Sequence, residues 1–493
     1  MVIQFNQISG VERVPLWYAE INPAQSPFQS QARLLLVGQV LSTATVTAGE
    51  PVQVSQDADG LFGIGSMLAD MYRIARLNAP LQEIWALPLA DDGAGVKATG
   101  DITVSNMPPT QDVTVSVWIG DERVRTIAYT SDTNDLLAAR LSAAINAVAN
   151  VPVVATVAAN VISLEAKHAG EAGNDIRLET NYYGQEGPTS GNAFAFTQMS
   201  GGTGNPDLAT FLPNLGDEEF DWIACPYSDT VNLNAMGTFL NGVGGRWSPT
   251  SQLYGHYITA RNDTFANLST FGSGRNDPHT TVMSSYNAQS PSWQWAAAVG
   301  AQAASHLQSA PELSRPLQTL DLIGILPPKS VADRPNLQER QVFYYDGISS
   351  YHVEKDGTVS IDRLITNYRL NEWGYEDASF LDVNTMAQNM FAIRYLRAKV
   401  TGTWGRAALI DENPNGIQGV ATPEAIRQTI VHGYQELSNL NVVENVDEFE
   451  EQLIVERNAV DANRVDIYLP ADQVNQLRII AVNYVSHLQY SNA

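Results

Sequence analysis

Short apolar runs without alternation recur along the chain and are separated by longer amphipathic stretches. Residues 33–41 read RLLLVGQVL, 83–89 EIWALPL, 221–227 DWIACPY, 253–260 LYGHYITA and 281–287 TVMSSYN. Apolar runs of this length predict strands covered on both faces. Between them the spacing predicts helices from Ser66, a good N-cap, through Leu77, near residues 233–240, and within PSWQWAAAVGAQAASHLQ at 291–308. Strands and helices in this order predict an α/β fold, an open sheet with helices on both faces.

The texture changes between about residues 92 and 204. DVTVSVWIG (112–120), RVRTIAYT (123–130) and NVISLEAK (160–167) alternate like half-exposed strands, and TNDLLAARLSAAINAVAN (133–150) predicts one helix capped by Thr133 or Asn134. Glycine-rich GAGVKATGDITVSNMPP and SGGTGNPD bound the segment, as expected of a small β-rich inserted domain.

Toward the C-terminus, residues 382–409 predict a long helix and a loop. Thr422 caps a further helix with Pro423 in its first turn and Ile426, Ile430, Tyr434 and Leu437 on one face. RVDIYLP (464–470) is a strand, and RIIAVNYVSHLQY (478–490) places Ile480, Val482, Tyr484, Leu488 and Tyr490 on one parity. That last run would extend roughly 40 Å, longer than a local sheet needs. An unpaired strand of this kind aggregates unless it has a partner, so pairing with another chain is expected. The first thirty residues carry Pro15, Pro23 and Pro27 and no helical period, which predicts an extended arm.

The expected organisation is an N-terminal arm (1–30), an α/β core domain in two parts (31–91 and 205–370), the inserted domain (92–204), a C-terminal α+β domain (371–477) and a strand arm (478–493).

Composition narrows the function more than it alters the fold. With 53 acids against 28 bases the net charge is -25, which disfavours nucleic acid and anionic membrane as partners. No run approaches the ~18 apolar residues of a membrane span. The first residues lack the basic and apolar regions of a signal peptide, so a soluble protein made in a reducing cytoplasm is expected. The single cysteine, Cys225, sits in an apolar run and reads as a buried thiol.

Chemistry-bearing motifs are sparse. There is no phosphate-binding G-x-x-x-x-G-K-[ST], and GIGSML at 63–68 has only half of a dinucleotide fingerprint and reads as a helix entry. DADG at 57–60 reads as a turn rather than a calcium loop, and Gly272-Ser273-Gly274 reads as a loop rather than a nucleophile elbow. Seven scattered histidines carry no zinc spacing, so no metal or cofactor is expected. Asp377 and Asp382 could form a carboxylate pair, although Asp382 stands where an N-cap belongs. The segment YYDGISSYHVEKDGTVSIDRLITNYRLNEWG (344–374) collects His352, Asp356, Ser360 and Asp362, but its alternation around Asp356-Gly357 predicts a structural hairpin. No catalytic residues are assigned.

Four phrases carry a family resemblance: RVPLWYAE (13–20), SRPLQTLDLIGILPP (314–328), the segment from 344 to 386, and VVENVDEFEEQLIVERNAVDANRVDIYLPADQVNQLRIIAV (442–482). Together they resemble the tail sheath protein of Mu-like contractile-tail bacteriophages, densely from about 314 onward and weakly in the insertion. The resemblance implies a subtilisin-like core topology, here without the G-T-S-M-A or H-G-T-H of the proteases. It implies a virion subunit, assembled in the host cytoplasm, that polymerises around the tail tube and contracts to drive the tube through the host envelope. Expected partners are further copies in stacked helical or hexameric layers, the tail tube protein, and the baseplate and tail terminator proteins. In related sheaths the arms add strands to neighbouring sheets, which assigns Leu16, Tyr18, Ile480, Val482, Tyr484 and Leu488 to pairing between subunits. Arg394, Arg397, Lys399 and Arg406, in a segment with Asp382 as its only acid, are candidates to face the tube, unless they only complement their own helix dipole. A tail tube or capsid protein is the alternative of the same kind, and an α/β hydrolase the alternative of another.

Overall fold

The computed structural model describes residues 32–55, 57–184 and 193–487. Leu16, Tyr18, Leu488 and Tyr490, with the rest of the N-terminal arm, lie outside the described residues.

The chain enters through β1 (Leu34–Gln39), buried at every position, then β2 (Val52–Gln53), α1 (Ala58–Phe62), α2 (Met67–Asn78) and β3 (Ile84–Leu89). The expected turn at 57–60 is instead the start of α1, because the Asp57 carboxylate accepts the Gly60 N–H. Ser66 Oγ accepts the Ala69 N–H at 3.2 Å and caps α2 as predicted.

The alternating region follows: β4 (Lys97–Val104), β5 (Val113–Ile119), β6 (Glu122–Ala128), α3 (Asn134–Ala147), β7 (Val153–Ala158), β8 (Val161–Ala169), β9 (Leu178–Glu179) and β10 (Phe194–Ser200). Thr133, not Asn134, caps α3. These strands make two antiparallel sheets of their own, in the orders β10-β4-β8-β7 and β6-β5-β9. Polar ties fasten them to the rest of the chain. The Met67 N–H donates to His168 Nε2 at 3.1 Å, Gln289 donates to the Gly120 carbonyl at 2.6 Å, and the Tyr182 hydroxyl donates to the Pro327 carbonyl at 2.6 Å.

The first sheet then resumes through α4 (Leu208–Phe211), β11 (Trp222–Ala224), α5 (Thr230–Leu240), β12 (His256–Arg261), α6 (Phe265–Ser273), β13 (Thr280–Ser284) and α7 (Ser292–His306). Its order is β13-β12-β11-β1-β3-β2, parallel except for the edge strand β2. Alternate residues of β1 enter two different cores. Leu34 and Leu36 pack with α2 and α7, while Leu35 and Val37 pack with Leu208, Leu233 and Met236 on the other face. This two-sided covering is why the run carries no polar alternation. A Cβ at Gly300 would stand 2.8 Å from that of Ala224, so glycine lets α7 lie directly on the sheet. Residues 272–274, expected as a loop, instead close α6, whose C-cap is Gly274.

The remainder comprises α8 (Leu337–Tyr345), β14 (Ser350–Val353), β15 (Val359–Arg363), α9 (Val383–Trp404), β16 (Ala408–Leu409), β17 (Val420–Ala421), α10 (Pro423–Asn439), α11 (Val446–Gln452), β18 (Ile454–Arg457) and β19 (Val465–Tyr468). Thr422 caps α10, and Ile426, Ile430, Tyr434 and Leu437 are buried on the predicted face. Tyr434 stacks on Phe449 of α11 with ring centroids 3.6 Å apart. No helix of the described residues is long and apolar enough to cross a membrane.

Candidate assembly surfaces

The polar hairpin at 344–374 does not converge on a reactive centre. β14 and β15 pair antiparallel across the Asp356-Gly357 turn, and Tyr344 and Tyr345 end α8 instead of belonging to the hairpin. Ser360 donates to Asp321 at 3.0 Å, His352 meets Glu354 at 2.7 Å, and Asp362 is held by Arg340 and the Tyr344 hydroxyl. Each polar group thus has its own partner, and nucleophile, base and acid are not brought together. Asp377 accepts from the Tyr368 hydroxyl at 2.6 Å and from Ser379, so it forms no carboxylate pair with Asp382. Asp382 occupies the N-cap position of α9 but makes no side-chain cap. Its carboxylate turns to Arg363 at 3.1 Å and Arg478 at 2.9 Å. Cys225 is buried as expected, and desolvation pushes its thiol up to about 12, too high to supply a thiolate. Among the described residues no three His, Cys, Asp or Glu side chains are placed to hold a metal ion.

The C-terminal segment has the opposite character. Residues 472–478 lie against the body: the Val474 N–H donates to the Val442 carbonyl at 3.1 Å, the Glu444 N–H to the Asp472 carbonyl at 2.9 Å, and Gln388 of α9 to the Val474 carbonyl at 2.9 Å. Over residues 479–486 the attachment stops. Residues 479–486 make no hydrogen bond with the described residues, and Ile480, Val482 and Tyr484 are 77%, 79% and 85% exposed. Ile479 and Val485 are exposed beside them. A run of large apolar side chains in water with its backbone unpaired is costly alone and is the chemistry of a strand awaiting an edge.

An edge of that kind is available on the same subunit. β18 and β19 form a two-stranded antiparallel sheet, with Ile454 opposite Tyr468, and no further strand joins either outer edge among the described residues. Ile454, Ile467, Tyr468 and Leu469 are exposed there. A hairpin of two strands is marginal without a third or a packing partner, and here β18 packs on α10.

The basic residues of α9 and of the turn that follows it divide. Arg394 is buried, paired to Asp221, 3.1 Å from Glu219 and bonded to the Leu253 carbonyl. It shares one face of α9 with buried Met386 and Met390, spaced by four residues, and this period was the signal that charge counting passed over. Arg394 therefore cannot present its charge to a tube, and that assignment is withdrawn. Lys399 is bound to Glu436 of α10, which also accepts from the Tyr395 hydroxyl at 2.6 Å. Arg397 and Arg406 are exposed, Arg397 donating to Gln252 at 3.0 Å.

Comparison with known proteins sets these surfaces in context. Residues 201–367 match the phage tail sheath protein central domain, and residues 376–486 match the phage tail sheath C-terminal domain. The chain is 35% identical over 488 residues to the Mu-like prophage FluMu tail sheath protein of Haemophilus influenzae, covering 98% of this chain and 99% of that protein. Among solved structures, a chain of the anti-feeding prophage baseplate aligns with a TM-score of 0.50 at 11% identity, covering 97% of this chain and 100% of that one. The sheath tail protein of Desulfitobacterium hafniense aligns with a TM-score of 0.49 at 12% identity, covering 94% and 97%.

Proposed function

The chain belongs to the phage tail sheath family, and from that premise we propose that its subunits polymerise by exchanging their C-terminal arms. It is a tail sheath protein of the Mu-like type, a structural protein of a contractile tail. In the proposed assembly residues 479–486 of one subunit add a strand to the free edge of β18–β19 in another copy. Main-chain bonds supply the affinity, and alternate side chains such as Ile480, Val482 and Tyr484 supply the register. The N-terminal arm, with Leu16 and Tyr18, is assigned the same kind of role. Neighbours linked by strands can rotate and repack without separating, as a contracting sheath requires. The tail tube, baseplate and terminator proteins are the proposed further partners, with assembly in the host cytoplasm. Of the basic residues, Arg397 and Arg406 remain available to face the tube. Residues 92–204 are proposed as an inserted domain, and the core around β1 as the subtilisin-like part.

The observation that carries the proposal is the apolar stretch 479–486, exposed and without a hydrogen bond to the described residues of its own subunit. Truncation after Arg478 tests it. The truncated protein should keep the wild-type melting temperature and form no hollow cylinders in negative-stain micrographs. Cylinders of normal length from the truncated chain would refute arm exchange.

A further inference from the structure

We infer that Asp382, Arg363 and Arg478 form the anchor that fixes where the C-terminal arm leaves the body and keeps it attached there when the arm is pulled; this rests on the arm-exchange reading above. Asp382 Oδ1 lies 2.9 Å from Arg478 Nη2 and 3.1 Å from Arg363 Nη2, and Arg363 Nε donates to it at 3.2 Å. Arg363 also reaches Oδ2 at 3.2 Å. The exposures of the Arg478, Asp382 and Arg363 side chains are 14%, 17% and 28%, so water screens the cluster poorly. Arg478 bends back further, toward Gln476 at 3.3 Å.

The three groups belong to different parts of the fold. Arg363 ends β15, Asp382 begins α9, and Arg478 is the last residue of the chain's course along the body before the bare arm. A single carboxylate therefore joins the arm's root to a hairpin and to a 22-residue helix. The cluster holds two guanidinium groups and one carboxylate. Remove the carboxylate charge and two cations face each other across a half-buried gap. Arg363 is fixed by the β14–β15 pairing and lies over the Tyr344 ring, with its guanidinium carbon 5.9 Å from the centroid. Arg478, whose other bonds are a long one to Asn384 Oδ1 at 3.5 Å and one to Gln476, has the short contacts of residues 472–477 behind it and no strand or helix of its own, so Arg478 is the group that leaves. The root would then peel back from Arg478 toward Asp472, lengthening the free arm and loosening the register it imposes on a neighbour. Asp382, placed at a helix start yet not capping it, is thereby given a role as a positioning residue.

Two variants test this in the full-length chain. Asp382→Asn removes the central charge. Arg478→Gln removes only the arm's side and leaves Asp382 paired with Arg363, so it decides the matter if the first variant does not fold. Amide hydrogen exchange over residues 472–478 should accelerate by at least about tenfold in either variant, while exchange in α10 stays as in wild type. The protein concentration needed for half-maximal cylinder formation should rise by a similar factor, about tenfold. Arg478→Lys, which restores a cation on a flexible stem, should recover part of both effects. Unchanged exchange over 472–478 in a folded variant overturns the anchor, and so does accelerated exchange with unaltered assembly. The truncation after Arg478 separates the two ideas. If it still assembles, arm exchange is wrong; if it does not assemble while both variants assemble like wild type, only the anchor is wrong.

Discussion

β1 and the arm beyond Arg478 are nearly alike as local sequence: short runs dominated by Leu, Ile and Val with a single polar interruption or two. In the folded subunit they occupy opposite extremes. Every residue of β1 is buried, with parallel partners on both sides and helices over both faces, whereas residues 479–486 are exposed and unpaired. The difference teaches that a strand-forming run states a demand for partners without stating where they come from. β1 satisfies that demand inside the chain, and the arm, on our proposal, satisfies it from a neighbour.

The strongest way to break this contrast is to place one charge in each region. Leu35→Asp should cost more than about 4 kcal/mol, because an unpaired carboxylate would enter a closed apolar core, and should yield insoluble or unfolded protein by circular dichroism. Val482→Asp should change monomer stability by less than about 0.5 kcal/mol while abolishing cylinders by electron microscopy. Equal stability losses in the two variants would mean that the arm is part of the subunit's own core.

A second pair sharpens the same distinction on α9. Arg394→Ala strands buried Asp221 without its guanidinium and should cost about 3–5 kcal/mol in urea denaturation. Arg397→Ala, three residues away on the exposed side, should cost less than about 0.5 kcal/mol, so any effect it has on assembly with tubes reports binding alone.

A last contrast is in pH dependence, which should belong to the body and not to residues 479–486 of the arm. Residues 479–486, IIAVNYVS, contain no side chain that titrates below pH 9. In the body, desolvation raises Asp175 from 3.8 to about 6, although Asn262 donates to it at 3.1 Å. The folded chain then takes up this proton before the unfolded chain does, so the group costs stability above pH 6 and the cost is relieved as pH falls toward 3.8. Asp175→Asn should be more stable than wild type by about 1–3 kcal/mol at pH 8, with the advantage shrinking below pH 6. His256 acts in the other direction. Burial lowers its pKa from 6.5 to about 3, so the unfolded chain is protonated first and stability is lost as pH falls below 6.5. Urea midpoints measured from pH 8 to pH 4 for the two proteins check both signs.

Much of the architecture was legible locally. The five parallel strands of the first sheet, the Ser66 and Thr422 caps and the buried face of α10 follow from period and capping chemistry, because each depends on residues within about four positions of one another, whereas the two-residue edge strand β2 was too short to show a pattern. α6 was missed, and the 57–60 turn was misread, because glycine at 60, 272 and 274 suggested irregular chain where hydrogen bonding favoured helix. The candidate surfaces were legible in part. The arm's apolar excess was visible, whereas Asp221 and Glu436, the acids that take Arg394 and Lys399 out of the basic patch, stand too far along the chain to be matched with them by spacing.

By itself, then, the sequence determined the element types, the amphipathic faces and the existence of a terminal run too apolar to remain alone. Those properties arise from backbone preference and from side-chain periods of 2 and 3.6 residues, which neighbouring positions carry in full. The tertiary structure alone decided that Asp382 would serve Arg363 and Arg478 instead of its own helix, and that Arg394 would meet Asp221. These are contacts between residues far apart in the chain, and a charge bears no local mark of its distant partner. Only the placing of α9 beside the loop residues Glu219, Asp221 and Leu253 and against the returning C-terminal segment brings them within hydrogen-bonding distance.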